Sequence, residues 1–155
     1  MAGYLDRIGA GKILMDPEPL SFDWLPNELV GRDDALGEIA SMFRGIESPN
    51  FSGRAIVIGP VGSGKTAIVR RFSDDLQKHL SDTRRILPVH INCRNHPTTS
   101  QVLQRIAQNL DHRHPERGFS PGEIIQNIRR NLQNSGKHML LVLDEVSVLL
   151  LREGD

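Results

Sequence analysis

The sequence predicts an α/β domain of three layers, in which helices cover both faces of a parallel sheet. Short apolar segments with the length of strands occur at 55–58, 86–92 and 139–143. Segments with helical periodicity separate these strands, and such alternation is typical of parallel sheets. A chain of 155 residues is long enough to bury the core of one such domain.

The predicted helices have clear boundary signals. Apolar residues recur with helical spacing from Asp33 onward, and again in three later segments. Thr98 is predicted to cap the third helix, and Ser120 to cap the fourth, whose first residue is Pro121. Gly136 follows the last periodic residue, so we expect the fourth helix to end there.

The residue types in the strands predict their places in the sheet. Pro88 has no N–H to donate to a neighbouring strand, so we expect the second strand at an edge. The third strand, 139–143, is apolar throughout and is expected to be central. Residues 1–29 show no sustained period, so we expect an extended N-terminal arm before a domain at 30–155.

The composition is that of a globular protein, with 38% hydrophobic and 25% charged residues. Cys93 is the single cysteine, which excludes an internal disulfide and fits a reducing compartment. The longest apolar run, 139–151, contains Asp144 and Glu145 and is too short to span a bilayer. We therefore expect a cytoplasmic protein without a membrane partner.

Charge is unevenly distributed along the chain, although the net charge is zero. The net charge is −5 over residues 1–50, +4 over each of 51–93 and 94–138, and −3 over 139–155. A basic middle region is compatible with a polyanionic partner. An ordinary solvated surface explains the same pattern, so both interpretations stay open.

A glycine-rich loop follows the first predicted strand. It fits G-x-x-x-x-G-K-[ST], the Walker A pattern, and lies between a strand and a helix, where that pattern is found. The predicted nucleotide contacts are Gly59, Pro60, Val61, Gly62, Ser63, Gly64, Lys65, Thr66 and Ala67. Glycines let backbone N–H groups approach phosphate oxygens, and the following helix directs its positive end toward them. Lys65 would neutralise phosphate charge, and Thr66 would supply a hydroxyl to Mg²⁺.

The third predicted strand ends in Asp144 and Glu145. Open α/β sheets bind their ligands at the carboxyl ends of the strands. After a matched phosphate loop, Asp144 is predicted to hold Mg²⁺, and Glu145 to orient and deprotonate a water molecule. A strand that simply ends in a polar turn is the alternative. A metabolite kinase is disfavoured because it usually lacks a glutamate directly after the magnesium aspartate.

Beyond these motifs, the chain resembles the archaeal replication-initiator AAA+ ATPases, which are related to the eukaryotic origin-recognition and cell-division-control initiators. The Asn-Cys-Arg sequence that ends the second strand is more specific to these initiators than the phosphate loop is. The resembling segments are 21–43, 59–80, 89–110, 117–133 and 140–150. The resemblance implies a P-loop NTPase fold of the AAA+ type, with ATP or ADP and Mg²⁺ as ligands.

The resemblance also implies roles for individual residues. Lys65 and Glu145 would be catalytic, and Thr66 and Asp144 would be metal ligands. Val30, Gly31 and Arg32 would wrap the adenine, although a turn before a helix is preferred from the residues alone. Only the resemblance therefore predicts that these three residues contact the nucleotide.

The partners that the resemblance implies are double-stranded origin DNA, other initiator subunits and the replicative helicase. The family uses a helical insert between the second and third strands, here about 97–110, to touch DNA. The arginines available for phosphate contact are Arg94, Arg105, Arg113, Arg117, Arg129 and Arg130. Few aromatic residues lie there, so we expect salt-sensitive contacts to the DNA backbone.

The sequence departs from the family pattern in two respects. Ser147 occupies a position where an acid is usual after Asp-Glu-Val. The family's fourth strand with its sensor residue, the arginine finger, the lid and the winged-helix domain are also missing. We therefore expect an N-terminal part of an initiator ATPase domain, or a shortened relative. A non-catalytic module that uses ATP or ADP as a structural ligand is the alternative function.

Overall fold

The computed structural model describes residues 18, 21, 24–26, 28–48, 51–82 and 85–153. Most of the predicted arm, 1–29, lies outside this range. The helices are α1 (Asp33–Met42), α2 (Lys65–His79), α3 (Thr99–Leu110), α4 (Pro121–Ser135) and α5 (Ser147–Glu153). The strands are β1 (Ile86–Asn92) and β2 (His138–Asp144). The predicted α/β class is confirmed.

The two strands pair in parallel, and their register brings their carboxyl ends together. Ile86 lies opposite His138 at one end of the ladder, and Asn92 lies opposite Asp144 at the other. The pairing continues one step further, because the Cys93 N–H donates to the Asp144 carbonyl oxygen at 2.9 Å. Residues that follow β1 are therefore held beside residues that follow β2.

The predicted strand at 55–58 does not form. Ile56 and Ile58 are 81% and 88% exposed, and β2 pairs only with β1 among the described residues. Val57 alone packs inward, against the cluster formed by α1 and α2. An apolar run becomes a strand only when a neighbouring strand accepts its hydrogen bonds, and none does so here.

The predicted central position of the third strand is also wrong. β1 lies at a sheet edge, as Pro88 predicts, but β2 does as well, because the sheet has two strands in the described part of the chain. Leu141, in the middle of β2, is 37% exposed. Uninterrupted apolar sequence indicates that a strand can be buried on both faces, whereas its actual neighbours depend on the rest of the sheet.

One face of the sheet forms the main core with α3 and α4. Val89 and Ile91 point from β1 into this core, which Val102, Ile106 and Ile124 complete from the two helices. The alternation of side chains along a strand places these β1 residues on a single face. Burial of each such side chain contributes about 1.5–3 kcal/mol, so this layer dominates the stability of the sheet.

The other face of the sheet is covered by α2 and is less tightly packed. A cavity of about 230 Å³ lies between them, with Arg70 and Ser73 on the helix side and Pro88, His90 and Val142 on the sheet side. The three-layer arrangement is thus present, but the layer formed by α2 packs less tightly on the sheet than the layer formed by α3 and α4.

A second apolar cluster joins α1 to α2. Ile39, Ile68 and Phe72 are its buried members, and the Phe43 and Phe72 rings lie 5.3 Å apart between centroids. This cluster fixes the orientation of α2 at residues only a few positions after the phosphate loop.

The predicted helix caps are confirmed. The Thr98 hydroxyl accepts a hydrogen bond from the Gln101 N–H at 3.3 Å. Ser120 and Glu123 form a reciprocal capping box ahead of α4, and Gly136 ends that helix in the left-handed region with φ 60°. Such caps satisfy N–H groups that the helix leaves unpaired, at about 1 kcal/mol each.

Candidate nucleotide site

The phosphate loop, residues 59–66, connects the non-strand segment at 55–58 to α2. Gly62 and Gly64 have positive φ angles of 78° and 82°, which side chains other than glycine rarely adopt. A Cβ atom at Gly59 would lie 3.1 Å from the Ser63 hydroxyl oxygen. The loop is therefore compact because of its glycines, and its backbone leads directly into the positive end of α2.

Lys65 is folded over the loop that precedes it. Its ammonium group donates to the carbonyl oxygens of Gly59 at 3.0 Å and Pro60 at 2.8 Å. These bonds hold one positive charge above the loop, where a phosphate group would add its own oxygens. A bound phosphate would compete with the two carbonyls for the same ammonium protons.

Thr66 and Asp144 meet across 78 residues of sequence. The Thr66 hydroxyl donates to Asp144 Oδ2 at 2.7 Å, and the Glu145 N–H donates to Asp144 Oδ1 at 3.0 Å. Adjacent ligands of an octahedral Mg²⁺ ion with bonds of 2.0–2.1 Å lie about 3 Å apart. The two oxygen atoms, which are of the type that Mg²⁺ prefers, therefore fit the ion implied by the sequence.

Glu145 follows β2 in an unusual backbone conformation. Its φ of 55° is the only positive value among the described non-glycine residues, and such conformations cost about 1–3 kcal/mol. One carboxylate oxygen lies 3.3 Å from Arg94 Nη2. The predicted base is thus next to the predicted magnesium ligand, and it is paired with a cation.

Arg94 reaches Glu145 because of the strand register. It lies two residues after Asn92, whose side-chain oxygen accepts from the Arg94 N–H at 2.9 Å. The sequence places Arg94 among the possible DNA contacts and does not predict this ion pair. The available signal was that parallel strands align their carboxyl ends, so that residues following each strand become neighbours.

His90 is a second residue that the sequence did not single out. Its Nε2 lies 3.8 Å from Asp144 Oδ2. Burial and the positive charge of Arg70 lower the pKa of His90, and the Asp144 carboxylate opposes this shift. The period-two pattern of β1 predicts that His90 and Asn92 share a face, which is the face of Asp144.

Cys93 is fully buried in the main core. Burial, followed by the negative charge of Asp144, raises the pKa of its thiol. The thiolate is therefore disfavoured, and the site gains no nucleophile from Cys93.

Of the three residues expected near the adenine, Arg32 lies close to the phosphate loop. A Cβ atom at Gly64 would be 3.8 Å from Arg32 Nη2, so the guanidinium lies beside the end of the phosphate loop. Gly31 has a φ of 67°, and Val30 is 93% exposed. The adenine contact stays a prediction for these residues.

The arginines proposed for DNA contact are spread over several elements. Arg105 is exposed on α3, and Arg113 and Arg117 are exposed in the segment between α3 and α4. Arg129 and Arg130 are exposed on α4. They are accessible, and Arg94 is paired with Glu145 of the nucleotide site.

Residues 52–153 match the AAA domain family. The chain belongs to this family. The ORC1-type DNA replication protein 2 of Saccharolobus solfataricus is 31% identical over 138 residues, which cover 86% of this chain and 33% of that relative. The ORC1-type DNA replication protein 1 of Methanothermobacter thermautotrophicus is 29% identical over 160 residues, covering 97% of this chain and 41% of the relative.

Solved structures agree with this relationship. The Aeropyrum pernix ORC1 protein in complex with DNA has a TM-score of 0.79 at 27% identity, over 90% of this chain and 37% of that protein. The Aeropyrum pernix ORC2 protein in its ADPNP–ADP complexes has a TM-score of 0.75 at 20% identity, over 88% of this chain and 36% of that protein; it supports the fold alone. The resemblance to archaeal replication initiators is confirmed, and this AAA domain spans about a third to two fifths of these relatives.

Two further findings concern membranes and metals. None of the helices in the described ranges has the length and apolar character needed to cross a membrane. The same ranges contain no group of three or more His, Cys, Asp or Glu side chains placed to share a metal ion. A metal at Thr66 and Asp144 would therefore need water or phosphate oxygens for its remaining positions, as Mg²⁺ commonly does.

Proposed function

We propose that this AAA domain binds ATP with Mg²⁺ and hydrolyses the nucleotide as part of a DNA replication initiator. The observation that supports the proposal most directly is the 2.7 Å contact between Thr66 and Asp144. It joins the glycine loop to the end of β2, so phosphate-binding and metal-binding groups occupy one site. A chance glycine turn would not require a carboxylate from a distant strand.

Different residues of the chain would bind the phosphates and the metal. N–H groups of residues 59–66 and the start of α2 would surround the phosphates, while Lys65 exchanges its carbonyl partners for phosphate oxygens. Thr66 and Asp144 would hold Mg²⁺, which neutralises phosphate charge when bound. The Arg32 guanidinium beside Gly64 adds a positive charge at the edge of the loop, in agreement with the proposed contact of Val30, Gly31 and Arg32 with the nucleotide.

Glu145 would act as the general base. It follows Asp144 directly, so a water molecule beside the phosphates would be within reach of its carboxylate. Arg94 pairs with one oxygen of that carboxylate at 3.3 Å, and the positive charge beside it would make Glu145 a weaker base. Related phosphoryl-transfer enzymes gain about 10³–10⁵ in rate from an additional arginine, so we expect slow turnover from this chain alone.

The cellular role that we propose is that of an initiator in the cytoplasm. The curated relatives are replication proteins, and one similar structure is a complex with DNA. Double-stranded origin DNA would contact the basic surface around α3 and α4, and other initiator subunits and the replicative helicase would be protein partners. Phosphate contacts from that surface would make binding weaken as salt rises.

The decisive test is calorimetric titration of the chain with ATP and with ADP, with and without Mg²⁺. We expect binding that strengthens with Mg²⁺, that Lys65→Ala abolishes, and that Thr66→Val makes independent of Mg²⁺. Ser73→Ala, on the same helix but outside the loop, serves as the matched control. Nucleotide uptake that is identical in Lys65→Ala and the unaltered chain would contradict the proposal.

A second function is favoured by the Arg94–Glu145 ion pair. A base that is paired with a cation is compatible with a module that binds nucleotide and DNA without hydrolysis. Release of bound ADP, followed with and without duplex DNA, and phosphate production under the same conditions distinguish the two functions. Phosphate production that requires Glu145 supports the ATPase, whereas nucleotide binding without phosphate production supports the second function.

A further inference from the structure

A cavity of about 220 Å³ opens at the carboxyl end of β1, beside Asp144. No residue of 59–66 lines it. Its polar lining residues are Arg70, His90, Asn92, Asn95, His96, Arg105 and Asp144. Four elements therefore contribute: α2 supplies Arg70, β1 and the turn after it supply the middle of the wall, β2 supplies Asp144, and α3 supplies Arg105.

The charge of the lining is suited to an anion. Two arginines and one aspartate line the cavity, and the oxygens of Asp144 already accept hydrogen bonds from Thr66 and from the Glu145 N–H. The Arg105 guanidinium makes neither a hydrogen bond nor an ion pair with the described part of the chain. An arginine without an anionic partner beside a polar cavity has donors available in the planar arrangement that phosphate groups accept.

The size of the cavity agrees with the same class of ligand. If each water molecule occupies about 30 Å³, the space holds a phosphate ion together with a few waters. Asn92 and Asn95 are polar groups of the wall, and amides can donate to oxyanions. A large organic ligand would find little apolar surface here, because Ile91 is the single apolar residue among those that line the cavity.

We propose that this cavity is a second phosphate-binding site, in which Arg105 and Arg70 hold an oxyanion of the phosphate class. The ligand is either free orthophosphate or a phosphodiester group of a nucleic acid. Occupancy would connect α3 to the neighbourhood of Asp144, because both line the same space. The inference does not depend on hydrolysis, since it concerns binding at residues outside the phosphate loop.

The test uses the 155-residue chain with Lys65→Ala, which removes the ammonium of the phosphate loop. Orthophosphate is titrated and followed by ³¹P NMR line broadening and by calorimetry. We expect saturable binding to persist in Lys65→Ala and to weaken by about tenfold or more when Arg105→Gln is added, since a charge-assisted contact is lost. Arg105→Lys is expected to retain most of the affinity because it retains the charge.

Arg44→Gln is the matched control, because Arg44 is an exposed arginine after α1 and does not line the cavity. When Arg44→Gln is added to the Lys65→Ala chain, the phosphate affinity should equal that of Lys65→Ala alone. Far-ultraviolet circular dichroism and thermal unfolding establish that each variant is folded. Loss of all phosphate binding in Lys65→Ala would overturn the inference, as would equal losses in Arg105→Gln and Arg44→Gln.

A short duplex DNA added as competitor identifies the source of the phosphate. Displacement of orthophosphate in the Lys65→Ala chain assigns the site to a phosphodiester, and retention assigns it to the free ion; both outcomes support a phosphate site. Titration of ATP into Arg105→Gln with Lys65 intact separates this inference from the proposed function. Normal ATP affinity together with lost phosphate affinity means that the two sites are independent.

Discussion

The two faces of the sheet differ in what they contribute. Val89 and Ile91 of β1 pack with α3 and α4 in a dry apolar layer, whereas His90 and Asn92, on alternate positions of the same strand, line polar space near Asp144. Because successive side chains of a strand point to opposite faces, one short segment serves both purposes. Stability is concentrated on one face, and binding chemistry is concentrated on the other.

The largest expected effect comes from breaking the apolar face. Ile91→Ala should lower the free energy of unfolding by about 2–5 kcal/mol, because it opens a cavity in the main core. Val142→Ala, on the opposite face of the neighbouring strand and half-buried, should cost about 1 kcal/mol. Urea denaturation measures both, and equal losses would show that the two faces contribute equally.

The next effect concerns the chemistry at the end of the polar face. Glu145→Gln should lower the rate of phosphate release under single-turnover conditions by about 10²–10⁴, because an amide cannot accept the proton. ATP affinity should stay within about twofold of the unaltered chain, since Glu145 is not a predicted phosphate contact. An unchanged rate would remove Glu145 from the mechanism.

Removing the ion-pair partner of Glu145 should have a smaller effect on turnover. The Arg94 and Glu145 side chains are 66% and 41% exposed, so their ion pair is worth at most about 1 kcal/mol. Arg94→Gln should therefore raise turnover by up to about fivefold, and Arg44→Gln should leave it unchanged. A decrease in turnover would mean that Arg94 assists the reaction instead of restraining the base.

The smallest expected effect is on stability, and it concerns the N-terminal cap of α4, a helix that packs on the apolar face of the sheet. Hydrogen bonds from the Ser120 N–H, then from its hydroxyl, lower the pKa of Glu123 below its ordinary value of 4.5. The stabilisation is present above the ordinary value and is lost as pH falls through the lowered pKa. Glu123→Gln should accordingly be less stable than the unaltered chain near pH 7, and this difference in stability should shrink in acid. Denaturation midpoints measured across pH test the prediction. A difference that grows in acid would refute it.

Much of the fold was predictable because its signals are local. The caps at Thr98 and Ser120 and the ending of α4 at Gly136 depend on residues within one helical turn of each other. The phosphate loop was equally predictable, since its glycines are needed for the backbone of the loop itself. In the site, Lys65, Thr66, Asp144 and Glu145 were named from motifs of this kind.

The failures involve partners that are distant in sequence. The segment 55–58 has the composition of a strand, but no strand within the described ranges accepts its hydrogen bonds, and β2 has one neighbour there where its apolar sequence predicts two. The pairing of Arg94 with Glu145 and the approach of His90 to Asp144 were missed for the same reason. Both of these side-chain contacts depend on the register between β1 and β2, which local patterns do not specify.

Sequence alone determined which residues are proposed to bind phosphate and metal, because glycine, lysine, hydroxyl and carboxylate groups have chemical properties that no fold changes. The tertiary structure decided which of these groups meet: parallel pairing of β1 with β2 brings Arg94 to Glu145, and the packing of α2 brings Thr66 to Asp144 across 78 residues. Contacts of this kind arise from the relative positions of whole elements, and those positions are set by the burial of apolar faces that lie elsewhere in the chain.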